Sequence, residues 1–264
     1  KGTGIVSIYY GGTVSNCVFH GFSAKFNPTH AGYANGTGQF VDCVIRNGTS
    51  PGVSSSADYC GLGLFLDGAD CLADRCVITN NRYASAGKDT GTAGGGVVLK
   101  NGAILRNSYV ADNQHARGGG GVWVDASTLE NCTVLGNSVI GNENKGYGVY
   151  AEGASVLRNN IIRGNVNTAN AAAQDVFAAA EATVEYNDYP EDSSSVAAKG
   201  EGNIDQDPVF KPGTYRLRMA SPCVNAGKPG DRLNVDFYPL LCSFFIRSIA
   251  DAPPFCQSAL SSAF

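Results

Sequence analysis

Apolar positions recur along this chain at intervals much longer than a helical turn. Residues 118–138, GGGGVWVDASTLENCTVLGNS, hold two strand-length apolar alternations joined by a polar bend, with no helical periodicity. The layout returns from Gly63 (GLFLDGADCLADRCVITNN), Gly95 (GGVVLKNGAILRNSYVADN) and Gly148 (GVYAEGASVLRNNIIRGN). Weaker copies start at Gly4, Gly38 and Asp175. Aligned, Cys17, Cys43, Cys76, Ser108, Cys132, Asn160 and Asn187 fall in one column, separated by 26, 33, 32, 24, 28 and 27 residues. Two places later stand Phe19, Ile45, Ile78, Val110, Val134 and Ile162. Three places earlier stand Val14, Phe40, Ala73, Leu105, Leu129, Leu157 and Val184.

Units of this size cannot bury a core alone, so copies must stack, and like residues then lie above one another. Rungs about 4.8 Å apart would make seven copies a rod of roughly 30 Å. The pattern predicts an all-β parallel β-helix solenoid of about seven coils. A β-propeller is the main rival, but its blades need about 40 residues and four strands each. Variable spacing places insertions at 49–60, 83–93 and 138–146, rich in Gly, Ser, Ala and Asn and read as loops. Asn81, Asn113, Asn137 and Asn165, five places after the Cys column, mark a bend: Asn tolerates left-handed backbone angles, and its amide can bond to the next rung.

Composition agrees with many short strands and tight turns. Of 264 residues, 34 are Gly, 43% are hydrophobic and only 16% are charged. A net charge of −4 and a pI near 5.3 give no basic surface for nucleic acid. The longest apolar run, Phe237 to Ile246, is too short to span a bilayer of about 30 Å, so no membrane-spanning segment is expected. The chain starts at Lys1 without an apolar leader, which suggests a removed signal peptide or a fragment. Nine cysteines leave at least one unpaired.

With these repeats the chain resembles the right-handed parallel β-helix superfamily, also called pectin-lyase-like. A second likeness lies in GNIDQDPVFKPGTYRLRMASPCVNAG, Gly202 to Gly227, which is similar to the terminal segment of choice-of-anchor secreted β-helix proteins. Asp207, Pro208, Phe210, Tyr215, Leu217, Ser221, Pro222, Cys223, Asn225, Ala226 and Gly227 carry it. The resemblance implies a C-terminal cap, and an exported protein that is extracellular or held at the cell surface. Residues 1–200 then form the repeats and 201–236 the cap. Residues 237–264 depart from the family pattern and read as a divergent or truncated tail.

Candidate chemistry lies on the first strand of each coil. Leu64, Val97, Val122 and Val149 should point inward, with Leu66, Leu99, Val124 and Ala151 two places on. Alternation then turns Phe65, Val98, Trp123, Tyr150 and Phe177 outward, followed by an outward row of Asp67, Lys100, Asp125 and Glu152. Aromatic rings beside carboxylates suit a polysaccharide or cell-surface glycan, and Asp125 with Glu152 on neighbouring rungs could share Ca²⁺. No other cofactor is implied. The plainer reading packs these rings beneath insertion loops and leaves the acids to solvate the rod.

Catalysis would need more. A polysaccharide lyase requires a base and a cation beside the sugar carboxyl, and Arg117, His115, Lys100 and Arg106 are the basic groups near this face, without a recognisable motif. A glycoside hydrolase requires two carboxylates about 5 to 10 Å apart, which Asp125 with Glu152 or Asp67 with Asp70 could supply. No catalytic residue is assigned. Cys17, Cys43, Cys76 and Cys132 read as small buried hydrophobes, and Cys60 with Cys71 as the best disulfide pair. The glycines at 118–121 lack the Lys-Ser/Thr of a phosphate loop. His20, His30 and His115 have no Ser or Cys partner and read as surface or loop residues. Asn-Gly-Thr at Asn35 and Asn47 permits glycosylation in a host that glycosylates secreted proteins. Three functions stand open: a carbohydrate-contacting surface module, an enzyme working along the same face, and a purely structural adhesin or spacer.

Overall fold

The computed structural model describes residues 3–23, 29–50, 59–83, 92–141, 145–169, 174–212 and 214–229. Regular structure among them is strand throughout. The strands stack in parallel, each pairing with its counterpart one coil away. The first sheet runs through Thr3–Tyr9, Thr29–Asn35, Leu64–Asp67, Val97–Lys100, Val122–Asp125, Val149–Glu152, Val176–Ala178 and Ser195–Val196. The second runs from Gly12–Ser15 to Thr183–Glu185, and the third from Val18–His20 to Ile161–Arg163.

The aligned columns are the register. Val14, Phe40, Ala73, Leu105, Leu129, Leu157 and Val184 pair in sequence across the second sheet, and Phe19 to Ile162 across the third. Leu64, Leu66, Leu99, Leu105, Leu129, Leu157 and Ile162 are fully buried in one continuous core. Each such side chain contributes about 2 kcal/mol by leaving water.

All three of the loops expected from spacing begin or end in strands. Thr49–Ser50, Arg82–Tyr83, Gln114–His115, Ser138–Val139 and Val166–Asn167 build a fourth parallel sheet, and Tyr59–Gly61 pairs with Thr92–Gly94. Two-residue strands are too short to show an alternation. Residues 51–58, 84–91 and 142–144, the middles of the expected insertions, lie outside the described residues.

The bends divide two tasks that the sequence pattern assigned to one Asn column. The left-handed positions are Asn47, Asn80, Asp112, Gly136 and Gly164, with φ of 54° to 66°. The residue after four of them makes the ladder. Asn81, Asn113 and Asn137 each donate backbone N and Nδ2 to the Oδ1 of the next Asn, at 2.9–3.1 Å. Asn165 gives the same two bonds to Asp175 Oδ1, at 2.8 and 2.7 Å. Asp175 therefore ends the ladder as an acceptor, while its Oδ2 takes the Ser193 hydroxyl at 3.0 Å.

At the far end, residues 204–212 and 214–229 fold back along the outside of the coils. Phe210 bridges Leu217, Tyr215 packs on Tyr109 at 4.1 Å between ring centres, and the Lys228 amide donates to Asn159 Oδ1. Arg163 holds this segment through Asp188 and Asp205, each at 2.7 Å. The tail from 230 onward lies outside the described residues.

Candidate functional site

Alternation in the first sheet turns every second side chain outward, so pairing lines outward residues up along the rod. One row reads Tyr33, Phe65, Val98, Trp123, Tyr150 and Phe177, and the next Tyr9, Asn35, Asp67, Lys100, Asp125 and Glu152. Tyr9, Tyr33 and Asn35 were not legible as members, because the first two coils lack the Gly-apolar-x-apolar signature that aligns the others.

The aromatic row is packed more tightly than its outward direction predicts. Phe65 is 5% exposed and Val98 fully buried. The His30 ring lies 5.0 Å from Phe65, and the backbone at Gly94 runs so close that a Cβ there would sit 3.0 Å from Val98 Cγ2. Phe65 is therefore no ligand platform. Trp123, Tyr150 and Phe177 are half-buried and stack on one another, with centres 4.1 and 4.9 Å apart. Lys145 Nζ sits 5.4 Å from the Phe177 ring centre. Both faces of Tyr150 are thus covered, and its ring edge is what reaches solvent.

The polar row is internally bonded. The Trp123 indole N–H donates to Glu152 Oε1 at 3.0 Å. Lys100 is nearly buried, with Nζ 3.6 Å from Asp125 Oδ2. Asn101 Nδ2 donates to Asp67 Oδ1 at 2.6 Å, and Asn35 Nδ2 to the Asp67 carbonyl at 3.1 Å. Burial raises the Glu152 carboxyl above its ordinary range, and the neighbouring Asp125 charge adds to this. The indole bond works against both.

The other basic groups do not converge here. Arg106 lies on the second sheet, 3.2 Å from Asp74, in an outward line of alternating charge that continues with Glu130 and Arg158. His115 belongs to the fourth sheet, where it is buried 4.6 Å from the Tyr83 ring. Burial lowers its imidazole to about 3, so it is neutral, and its Nδ1 accepts the Arg117 amide at 3.2 Å. Arg117 follows on the loop beside Tyr150, since a Cβ at the next residue, Gly118, would lie 3.3 Å from Tyr150 Cδ2. His30 is likewise buried, contrary to its expected surface position.

Among the described residues no group of three or more His, Cys, Asp or Glu could hold a metal ion. No helix there is long and apolar enough to cross a membrane. Cys71 is a free thiol, and the Cys60 side chain lies outside those described.

Neither the curated proteins nor the solved structures contain a significant match. The model of the family described as right handed beta helix region matches residues 1–188, well over half of the chain. With parallel sheets in register among the described residues of that span, the chain belongs to the right-handed β-helix family.

Proposed function

We propose that this is an exported β-helix module whose first sheet offers a carbohydrate-contacting ledge at the cell surface. The observation that carries the reading is the row Tyr9, Asn35, Asp67, Lys100, Asp125 and Glu152, one polar group per rung over about 24 Å. Carboxylates, an amide and an ammonium at that spacing suit the hydroxyls of an extended polysaccharide. Because the Trp123 and Tyr150 rings cover each other, hydrogen bonding rather than ring stacking is the main contact. Tyr9, 44% exposed and with its ring centre 5.5 Å from that of Tyr33, is the aromatic member of this row. Export rests on the resemblance of Gly202–Gly227 to a choice-of-anchor segment.

Glycan-array screening followed by titration of the single tryptophan's emission tests the ledge. Losing one charge-assisted bond, in Asp67→Ala or Glu152→Ala, should weaken binding about tenfold. Unchanged affinity in both variants would remove the assignment.

One observation favours an enzyme. Glu152, its carboxyl raised by burial, stands on the rung next to Asp125, which pairs with Lys100, and two neighbouring carboxyls are what a glycoside hydrolase uses. Reducing ends should then be released from a polysaccharide panel, and Glu152→Gln should abolish the release. Lyase action has less support, since Lys100 is committed to Asp125 and His115 is buried on another sheet. Ca²⁺ between Asp125 and Glu152 would first have to displace the Lys100 ammonium and the Trp123 indole. Silence in every assay would leave the self-packed aromatic row as the property of a spacer.

A further inference from the structure

Three cysteines stand on consecutive rungs at the first end of the rod. The Val44 amide donates to the Cys17 carbonyl and the Val77 amide to that of Cys43, each at 2.9 Å, so Cys17, Cys43 and Cys76 are direct neighbours. Rung spacing of about 4.8 Å lies inside the Cα separation that a disulfide needs, about 4.4 to 6.8 Å. Further along, the column holds Ser108, Cys132 and Asn160, so Cys132 has no sulfur on either adjoining rung. Accessibility also differs: Cys17 is exposed, whereas Cys43, Cys76 and Cys132 are buried. The first coil is itself the least secured. Val14 and Phe19 are only half-buried where their counterparts Phe40 and Ile45 are fully buried, and among the described residues its strands pair on one side alone. Terminal repeats of such stacks open first.

We propose that Cys17 and Cys43 are an oxidation site, at which a peroxide converts the two thiols into a cross-rung disulfide that ties the first coil to the second. The Cys17 thiolate attacks one peroxide oxygen and the O–O bond breaks. The departing oxygen takes up a proton and leaves as water, and Cys17 is now a sulfenic acid. The Cys43 thiolate then attacks the Cys17 sulfur, forming the S–S bond and breaking S–O. The hydroxide released takes the proton that Cys43 gave up. Two thiols and one hydrogen peroxide thus yield one disulfide and two waters. The adjacent Cys76 thiol holds the Cys43 thiol below its ordinary value, which keeps a resolving thiolate available. Burial and the neighbouring Cys43 hold Cys17 above its own, so the first step is slow and accelerates with rising pH.

The test treats the full chain with hydrogen peroxide, alkylates remaining thiols and digests with trypsin without reductant. Trypsin separates Cys17 on residues 2–25, Cys43 on 26–46, Cys76 on 76–82 and Cys132 on 118–145. The expected product joins 2–25 to 26–46, about 2 Da lighter than the two reduced peptides, with Cys132 still alkylated. It should disappear in Cys17→Ser and in Cys43→Ser, and hydrogen exchange over residues 5–23 should slow in the oxidised protein. Since Cys17 is exposed, its serine variant is expected to fold normally and serves as the control for Cys43→Ser. Cys17 oxidised to sulfinic or sulfonic acid while Cys43 stays alkylated would overturn the proposal. So would Cys17 joined to a second copy or to any cysteine other than Cys43.

Discussion

Glycine and asparagine occupy linked positions in this protein. Gly63, Gly96, Gly121 and Gly148 each precede an inward strand, and at the last three of these the Asn ladder runs directly alongside. A Cβ on Gly148 would lie 2.5 Å from Asn165 Nδ2 and 2.7 Å from the Asp175 carbonyl. Gly164 is left-handed at φ +66° but has nothing within 4 Å of its would-be Cβ. Gly148→Ala should therefore cost about 2–4 kcal/mol through overpacking and ladder disruption, and Gly164→Ala about 1 kcal/mol from backbone strain alone. Urea denaturation of the two variants checks the ranking. Trp123 offers a second residue-level prediction. Its indole bonds to Glu152, so tryptophan emission should titrate with a midpoint above 4.5, the ordinary glutamate value, and Glu152→Gln should flatten the curve.

The Asn ladder behaves as an element of its own, since each member satisfies two donors of its neighbour. Asp175 closes it at a buried site, and burial raises this carboxyl above its ordinary value of 3.8. A folded-state value above the unfolded one means that the native protein binds the proton more tightly. The stability associated with Asp175 is therefore full below 3.8 and is lost as pH climbs through the raised value. Asn supplies the same acceptor without the charge, so Asp175→Asn should gain stability over the wild type between about pH 4 and 7. Paired thermal melts across that range decide it.

The elements also show what a sequence discloses and what it withholds. Inward columns such as Leu105, Leu129 and Leu157 were legible because a buried strand face and a repeat reinforce each other. The fourth sheet was not, since two residues cannot display a period. The candidate site was legible in its alignment and less so in its exposure. Asp67, Asp125 and Glu152 do share an outward row, but Phe65 is packed against the His30 and Tyr33 rings and Lys100 is nearly buried beside Asp125, contacts that no periodicity encodes. Arg106 is near Lys100 in sequence, but the bend between them places it on the second sheet.

At the scale of the molecule, residues 204–212 and 214–229 convert an open stack into one with a covered flank. Their hold depends on Arg163, which pairs with Asp188, itself 3% exposed, and with Asp205. Arg163→Ala leaves a buried carboxylate unmatched and should destabilise by about 3 kcal/mol, a loss that limited proteolysis near residue 212 should report first. Parallel register has one more effect. A surface graduated at about 4.8 Å per mark acts as a ruler for any ligand that advances by a similar step. Each added sugar would engage a further mark at little extra entropic cost, so affinity would climb with oligosaccharide length and level off once the ligand outruns Tyr9 and Glu152.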